Sequence, residues 1–243
     1  MSAAARHLRR EDGVALIIAM MAMLLMTALG VALILTTSSE TMIASNYRNT
    51  YEGFYAADAA LERAMDDLRT VPDWNTLLSG AARSQFIDGS PNGPRMLSGG
   101  TTLDLGQAIN MANCQKVATC SNSNMDAVTA ERPWGSNNPR WQLLAYGNLA
   151  DMLPTDTINS QYYVIVLVGD DPSENDGDPL RDGVSQSNPG TGVLALRAEA
   201  FGPRGSHKVI ELTVARTDTT ELERGYDGVG QAGMRMLSWR EVR

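Results

Sequence analysis

The chain has few of the residues that most often build metal and catalytic sites. Its 243 residues include two histidines and two cysteines. His7 and His207 lie far apart in the sequence, and no CxxC-like pair accompanies Cys114 and Cys120. Zinc sites draw their ligands from closely spaced cysteines and histidines, so the sequence gives no support for one. A lone histidine is also weak evidence for acid–base catalysis.

Basic residues are in short supply as well. Lysine and arginine total 20 against 28 aspartates and glutamates, which gives a net charge of −8 at pH 7. Proteins that bind nucleic acid present a basic face to the phosphates, so this balance argues against nucleic-acid binding. The sequence also lacks the G-x-S-x-G nucleophile elbow and the P-loop. We therefore predict that the chain is not an enzyme.

What the sequence does contain is a long apolar stretch near its start. The charged segment Met1–Gly13 runs directly into Val14–Leu35, which carries no charged residue. As a helix this stretch is ~33 Å long, enough to cross a bilayer core of about 30 Å. A secretory signal has an apolar core of about 7–15 residues, followed by its cleavage site. Here the processing point Gly13-Val14 precedes the apolar run, so cleavage would leave the hydrophobic helix as the new N-terminus.

Two stretches carry a resemblance to a known family. One is Arg9–Ala19, and the other is Phe54–Ala64, with the sequence FYAADAALERA. The first resembles the class III leader of the type IV pilin superfamily, and together they resemble PilX-type minor pilins. The resemblance implies that a prepilin peptidase cuts after Gly13 and methylates the new amine of Val14.

The fifth residue of the processed chain departs from the common pilin pattern. Most pilins have glutamate there, whereas this chain has Ile18. In the family, that glutamate is thought to neutralise the amine of a neighbouring subunit, because a buried unpaired charge is costly. PilX-type proteins and the tip-most pseudopilin of type II secretion are similar in lacking it. Ile18 therefore indicates a minor component at or near a fibre tip; the alternative is an anchored protein that is not a pilin.

Charges and cysteines indicate the compartment. The arginines of the leader (Arg6, Arg9 and Arg10) precede the apolar run, and positive charge before a span keeps that end in the cytoplasm. The C-terminal bulk is then exported. Cys114 and Cys120 fit an oxidising compartment and can close a small disulfide loop. Two free thiols remain the alternative, because spacing does not fix the Cα geometry.

One long helix is predicted from Val14 to about Arg69. Beyond its apolar half, residues recur at helical spacing along one stripe, and Pro72 ends the helix. The members of the stripe are Tyr47, Tyr51, Phe54, Asp58, Leu61, Met65 and Leu68. Asp58 is its charged member: either it is buried and paired, with Arg63 or another arginine, or it is solvated at the edge of the stripe.

The second half of the chain predicts an antiparallel sheet. Short apolar and β-branched runs occur at Trp141–Tyr146, Tyr162–Val168, Val193–Phe201, Lys208–Arg216 and Met234–Val242. Their alternation favours one face packed on the helix and one face in water. The expected fold is α+β and pilin-like. It comprises a leader (1–13), a membrane or fibre-core helix (14–35), its amphipathic continuation (36–70), an irregular connection (71–140) and the sheet region (141–243).

An acidic segment suggests a cation site. Its carboxylates are Asp170, Asp171, Glu174, Asp176, Asp178 and Asp182. Calcium takes six to eight oxygen ligands from such residues, and some members of the wider superfamily bind calcium in the sheet region. The spacing does not match an EF-hand. The alternative is a solvated loop in which aspartate, asparagine, glycine and proline serve turn geometry alone.

The resemblance implies a structural function. We expect a minor pilin that waits in the inner membrane, with its C-terminal domain in the periplasm, and then joins a complex that primes fibre assembly at the tip. Expected partners are the prepilin peptidase, the assembly platform, the major pilin, other minor pilins and a PilY-type tip adhesin. Two alternatives stay open: a type II secretion minor pseudopilin, and a single-pass anchored periplasmic protein that binds an ion or ligand.

Overall fold

The structure is a computed structural model that describes residues 12–127, 134–152, 159–174, 177–183, 192–217 and 233–242. Its contacts divide the chain into two compact units, Met1–Arg48 and Asn49–Arg243. The predicted helix is present as α1, Asp12–Thr70, which spans 59 residues. It begins in the first unit and ends in the second.

The first unit consists of the apolar part of α1. The large side chains of Val14–Leu35 are all exposed, as expected for a helix that is apolar on every side. By length and composition, this helix can cross a membrane. Gly30 interrupts the apolar run, and apart from the adjoining helix backbone no described atom lies within 4 Å of the position that its Cβ would take.

The second unit is built on a five-stranded antiparallel sheet with the strand order β3-β4-β5-β6-β7. These strands are Gln142–Asn148, Tyr163–Asp170, Val193–Phe201, His207–Arg216 and Met234–Val242. All five lie where the alternation of apolar residues predicts them, to within two residues at each end. A short 3₁₀ turn at Pro203–Gly205 connects β5 to β6, as its glycine and proline content predicts.

One face of the sheet packs on the last part of α1. The helix contributes mainly small residues to this core: Ala56, Ala57, Ala60, Leu61, Ala64 and Leu68. Tyr51, by contrast, is exposed, so the predicted stripe is wrong at that residue. Asp58 is half-buried, and Arg63 pairs instead with Asp67, at 3.3 Å from Nε to Oδ1.

The other face of the sheet is covered in part, which corrects the expectation that it is solvent-exposed. Leu105, Ala108 and Ala112 pack against Ile165 and other residues of the central strands in a second apolar core. The first three belong to α3, Leu105–Cys114. Strand β4 is consequently buried along its whole length.

The region 71–140, predicted to be irregular, contains several short elements, of which α3 supplies this cover. They are α2 (Asn75–Leu78), β1 (Pro94–Met96), β2 (Thr102–Asp104), α3 and α4 (Asn122–Asp126). β1 and β2 form a separate antiparallel pair. The backbone of Ser84–Asp88 hydrogen-bonds to Leu144 and Tyr146 of β3, so one edge of the sheet is covered by its own chain.

Candidate functional site

The apolar part of α1 satisfies its own polar groups. Thr27 donates from its hydroxyl to the carbonyl of Leu24 at 2.9 Å, and Thr36 donates to the carbonyl of Ala32 at 2.9 Å. Thr37, Ser39 and Thr41 make the same bond to the carbonyl four residues earlier. In a medium without water, an unpaired hydroxyl is costly. These five hydroxyls therefore have acceptors within the helix and need no water.

The predicted processing residues lie at the start of this helix. Gly13 and Val14 are both helical, and Met1–Glu11 lies outside the described residues. Ile18 is on the same helix, with an exposed apolar side chain. A neighbouring helix at this position would meet an apolar sec-butyl group where most pilins present a carboxylate.

A shallow furrow on this helix offers a surface for another helix. Leu24, Thr27, Ala28, Val31, Ala32 and Leu35 line it. The small residues Thr27, Ala28 and Ala32 allow a second helix to approach closely, which favours association inside a membrane. The furrow supplies shape and dispersion contacts rather than charge.

Where α1 meets the sheet, its backbone comes close to an aromatic ring. A Cβ on Gly53 would lie 3.0 Å from Cε1 of Tyr162 and 3.1 Å from Cγ of Lys208. Tyr162 donates its hydroxyl to the carbonyl of Asn49, and burial raises the pKa of this phenol. The helix is thus held at a defined height and rotation on the sheet.

A family model described as PilX N-terminal matches residues 12–62. Residues 12–62, here called the PilX N-terminal segment, are similar to that family. The match covers about a fifth of the chain, from one residue before Gly13 to Glu62, two residues before the end of Phe54–Ala64. It contains both the exposed apolar helix and the alanine-rich turns that pack on the sheet. No curated protein and no solved structure matches the chain.

The match at residues 12–62 supports a PilX-type type IV pilin. The fold agrees: a long N-terminal helix continues onto an antiparallel sheet. The PilX N-terminal segment ends at residue 62, so it does not include the sheet or the elements on its far face.

Cys114 and Cys120 lie outside the PilX N-terminal segment. Cys114 is the last residue of α3, and Cys120 follows six residues later. Their sulfur atoms are 2.00 Å apart and their Cα atoms 6.0 Å apart, in a disulfide. The bond closes the loop that follows α3. Gln115 takes the left-handed conformation at the C-cap of that helix, with φ of 58°, and starts the reversal that brings the cysteines together.

The acidic segment that follows β4 uses its described carboxylates in local hydrogen bonds. Asp171 accepts from the backbone and hydroxyl of Ser173, at 3.1 and 2.6 Å. Asp182 accepts from the backbone of Gly192 at 2.7 Å, and burial raises the pKa of its carboxyl. Among the described residues, no group of three or more histidine, cysteine or acidic side chains could hold a metal ion.

The remaining candidate ligands are distributed along the same segment. Asp170 and Glu174 are buried, whereas Asp178 accepts from the backbone of Leu180 at 3.3 Å. Asp176 lies outside the described residues. Calcium binding stays a prediction, and the described bonds are those expected of turn-forming aspartates.

A ladder of charges on the far face of the sheet was not predicted. Arg197 of β5 donates to Glu199 at 2.7 Å and to Glu211 of β6 at 2.6 Å. His207 hydrogen-bonds to Glu199 at 2.9 Å, and Arg240 of β7 donates to Glu211 at 2.9 Å. The alternation of polar residues was visible in the sequence, but it indicated a solvated face and not a buried network.

One further motif gives no ligand site. Gly228–Gly233 has the G-x-G-x-x-G spacing of dinucleotide-binding loops. That fingerprint acts at a turn from a strand into a helix within a βαβ unit. Here it lies between β6 and β7, which pair as antiparallel neighbours, so the context that the fingerprint requires is absent from the described residues.

Proposed function

We propose that this chain is a minor pilin of a type IV pilus, a structural subunit of a complex that primes assembly and stays at the tip. The PilX N-terminal match at residues 12–62 carries the proposal. It falls on the one helix among the described residues that is long and apolar enough to span a membrane. The chain therefore acts through its surfaces rather than through catalysis.

Before assembly, the helix lies in the inner membrane. Its exposed side chains at Val14–Leu35 partition into lipid tails because burial of apolar surface is favourable. In the fibre the same side chains contact the helices of other subunits. The helix thus moves from one apolar environment to another, so the net free energy of the transfer is small. Packing against other helices at the Leu24–Leu35 furrow sets the specificity of assembly.

Ile18 supports the tip position. A pilin with glutamate at this position offers a carboxylate to the N-terminal amine of a neighbouring subunit, and this chain offers an apolar side chain instead. A subunit that cannot neutralise a neighbour's amine suits a position that does not repeat along the shaft. Its partners are the major pilin, other minor pilins, the assembly platform and a PilY-type adhesin.

The second unit is the exported head of the subunit. It carries a disulfide between Cys114 and Cys120, and disulfides persist in oxidising compartments such as the bacterial periplasm. After cleavage at Gly13, this head is displayed on the fibre. A type II secretion minor pseudopilin would share the same leader and helix, and the fibre that contains the chain distinguishes the two.

The N-terminus of the membrane-extracted protein tests the proposal first. We expect mass spectrometry to find a chain that begins at a methylated Val14 in cells with prepilin peptidase, and an intact Met1 end in cells without it. Immunogold labelling of sheared fibres should then place the head at fibre tips. An intact Met1–Gly13 segment in both strains would refute the pilin assignment and leave the helix as a plain anchor.

A further inference from the structure

A cavity of about 300 Å³ opens on the face of the sheet opposite α1. Its floor is a row of small residues that lie opposite one another on three neighbouring strands: Ala195, Thr213 and Ser238. Small side chains in one row leave a depression between taller neighbours. The volume is at the lower end of the range for small-molecule sites, about 300–1,000 Å³.

Two tryptophans form the apolar walls of this cavity, and both are held in place. Trp141 is 2 % exposed, and its backbone exchanges two hydrogen bonds with the side chain of Asn113, at 2.8 and 3.0 Å. Trp134 lines the mouth, with 40 % exposure, and its backbone donates to Asn138 at 3.1 Å. Rigid, partly exposed aromatic surfaces of this kind suit ligand stacking.

The cavity also contains polar groups of both kinds. The indole Nε1–H of Trp141 is buried and has no hydrogen-bond acceptor among the described residues. Asp171 and Glu211 supply carboxylate oxygens to the lining, and Arg240 supplies a guanidinium at the mouth. The hydroxyls of Thr213 and Ser238 lie 3.0 Å apart on the floor.

This combination restricts the chemistry of the ligand. The charges of Glu211 and Arg240 are already compensated, since Glu211 pairs with both Arg197 and Arg240, and the Asp171 carboxylate would repel an anion. A purely apolar ligand would leave the Trp141 donor buried without a partner, which is costly. A neutral ring with one apolar face and several hydroxyls satisfies all of these groups, since hydroxyls both donate and accept.

We propose that this cavity binds a pyranose ring, with Trp134 stacked on its apolar face and Trp141 donating to one of its oxygens. The proposal rests on the cavity alone and does not depend on the role of the chain in a pilus. A site of this size that uses a single stacked ring is expected to bind a monosaccharide weakly, with a Kd of about 1 mM.

The test is a titration of the full chain in an uncharged detergent without a sugar headgroup. The methyl pyranosides of glucose, galactose, mannose and N-acetylglucosamine are added while the indole ¹H–¹⁵N signals of the four tryptophans are recorded. We expect at least one sugar to shift the Trp134 and Trp141 signals in a saturable way. The Trp239 signal should stay fixed, because Trp239 lies on the opposite face against Phe54, with ring centroids 5.7 Å apart.

Two tryptophan variants provide a matched pair. Trp134→Ala should weaken sugar binding about two- to tenfold, since aromatic contacts of this kind are worth about 0.5–1.5 kcal/mol. Trp239→Ala removes an indole of nearly equal exposure, 41 %, and should leave the Kd unchanged. Both side chains are partly exposed, so both variants are expected to fold, which circular dichroism checks.

Three outcomes would overturn the proposal. The first is that no sugar shifts the Trp134 or Trp141 signal at concentrations up to about 50 mM, far above the expected Kd. The second is a sugar-induced shift with the same Kd in Trp134→Ala. The third is a shift caused by choline or acetate but by none of the sugars, which would assign the cavity to a charged ligand.

Discussion

A Cβ atom on Gly53 would lie only 3.0 Å from Cε1 of Tyr162. The ring cannot move away easily, because its hydroxyl is bonded to the Asn49 carbonyl and lies 3.0 Å from the hydroxyl of Ser206. A Cβ on Gly202 would also overlap this ring. One tyrosine thus fixes the spacing between α1 and the sheet, and the glycine that it contacts, Gly53, lies inside the PilX N-terminal match.

Gly53→Ala should therefore destabilise the head although alanine is the better helix former. The helix propensity of alanine favours the variant by about 1 kcal/mol, whereas the added methyl group forces overpacking that costs about 1–3 kcal/mol. We expect a net loss of about 1 kcal/mol, seen as a lower Tm of the full chain in detergent. Gly30→Ala is the control, because apart from the adjoining helix backbone its Cβ meets no described atom within 4 Å. An equal or higher Tm for Gly53→Ala would contradict the close approach.

The packing of α1 on the sheet was only partly predictable from the sequence. Spacings of three and four identify a helical stripe, but the large side chains Tyr47 and Tyr51 are exposed. Ala57, Ala60 and Ala64 form the buried face instead. Alanine is favourable in any helix, so its presence does not indicate which face is buried. The short distance to Tyr162, which selects small residues, depends on a contact more than 100 positions away in the sequence.

The strands were predictable because period-two alternation is local, whereas the cover on the far face was not. Arg197 and Glu211 alternate with apolar residues as solvent-exposed positions do, yet both are largely buried. What buries them is α3 and the elements around it, whose few apolar residues, such as Leu105 and Ala108, show weak periodicity. The pairing of Arg197 with Glu211 follows from the strand register, which a single sequence does not specify.

Arg197→Met should destabilise the head strongly. The guanidinium bridges two carboxylates, Glu199 and Glu211, whose side chains are 7 % and 11 % exposed. Removal of the guanidinium leaves the negative charges of both carboxylates less well compensated. Breaking a buried ion pair costs about 3–5 kcal/mol of folding free energy. Urea unfolding of the full chain measures the loss. Arg181→Met is the control, because Arg181 pairs with Asp178 at the surface and such pairs contribute about 0–1 kcal/mol. Similar losses in the two variants would show that the ladder is not stabilising.

Glu199 makes part of the stability depend on pH. Burial raises the pKa of Glu199, but hydrogen bonds from His207 and Arg197 and the Arg197 charge lower it by more, so its pKa lies below the usual value of 4.5. A carboxyl with a lowered pKa stabilises the folded state above the unfolded pKa, and this contribution is lost as the pH falls through the folded pKa. We expect the thermal unfolding midpoint, Tm, to decrease as the pH is lowered below about 4.5. The fall should be shallower in Glu199→Gln; parallel curves would contradict this.

The Cys114–Cys120 disulfide should stabilise the end of α3. It closes a loop with a sequence separation of six, and loop-closure entropy gives about 2 kcal/mol for a ring of this size. We expect the double serine variant to lose about that much stability, and a reducing agent to produce the same loss in the unmodified chain only. Thiol alkylation of protein taken from the periplasmic side, followed by mass spectrometry, checks the redox state. Full alkylation without prior reduction would show that the thiols are free.

Ile18→Glu tests whether the missing carboxylate would restrict the proposed pilus subunit to the fibre tip. The substitution supplies the carboxylate that other pilins present to a neighbouring N-terminal amine, and a buried amine with a partner is far less costly than one without. If the missing carboxylate restricts the subunit to the tip, immunogold label should spread from the fibre ends into the shaft. Ile18→Gln keeps the shape of the new side chain without its charge and should leave the label at the tip. Tip-only labelling in both variants would mean that contacts of the head, and not residue 18, set the position in the fibre.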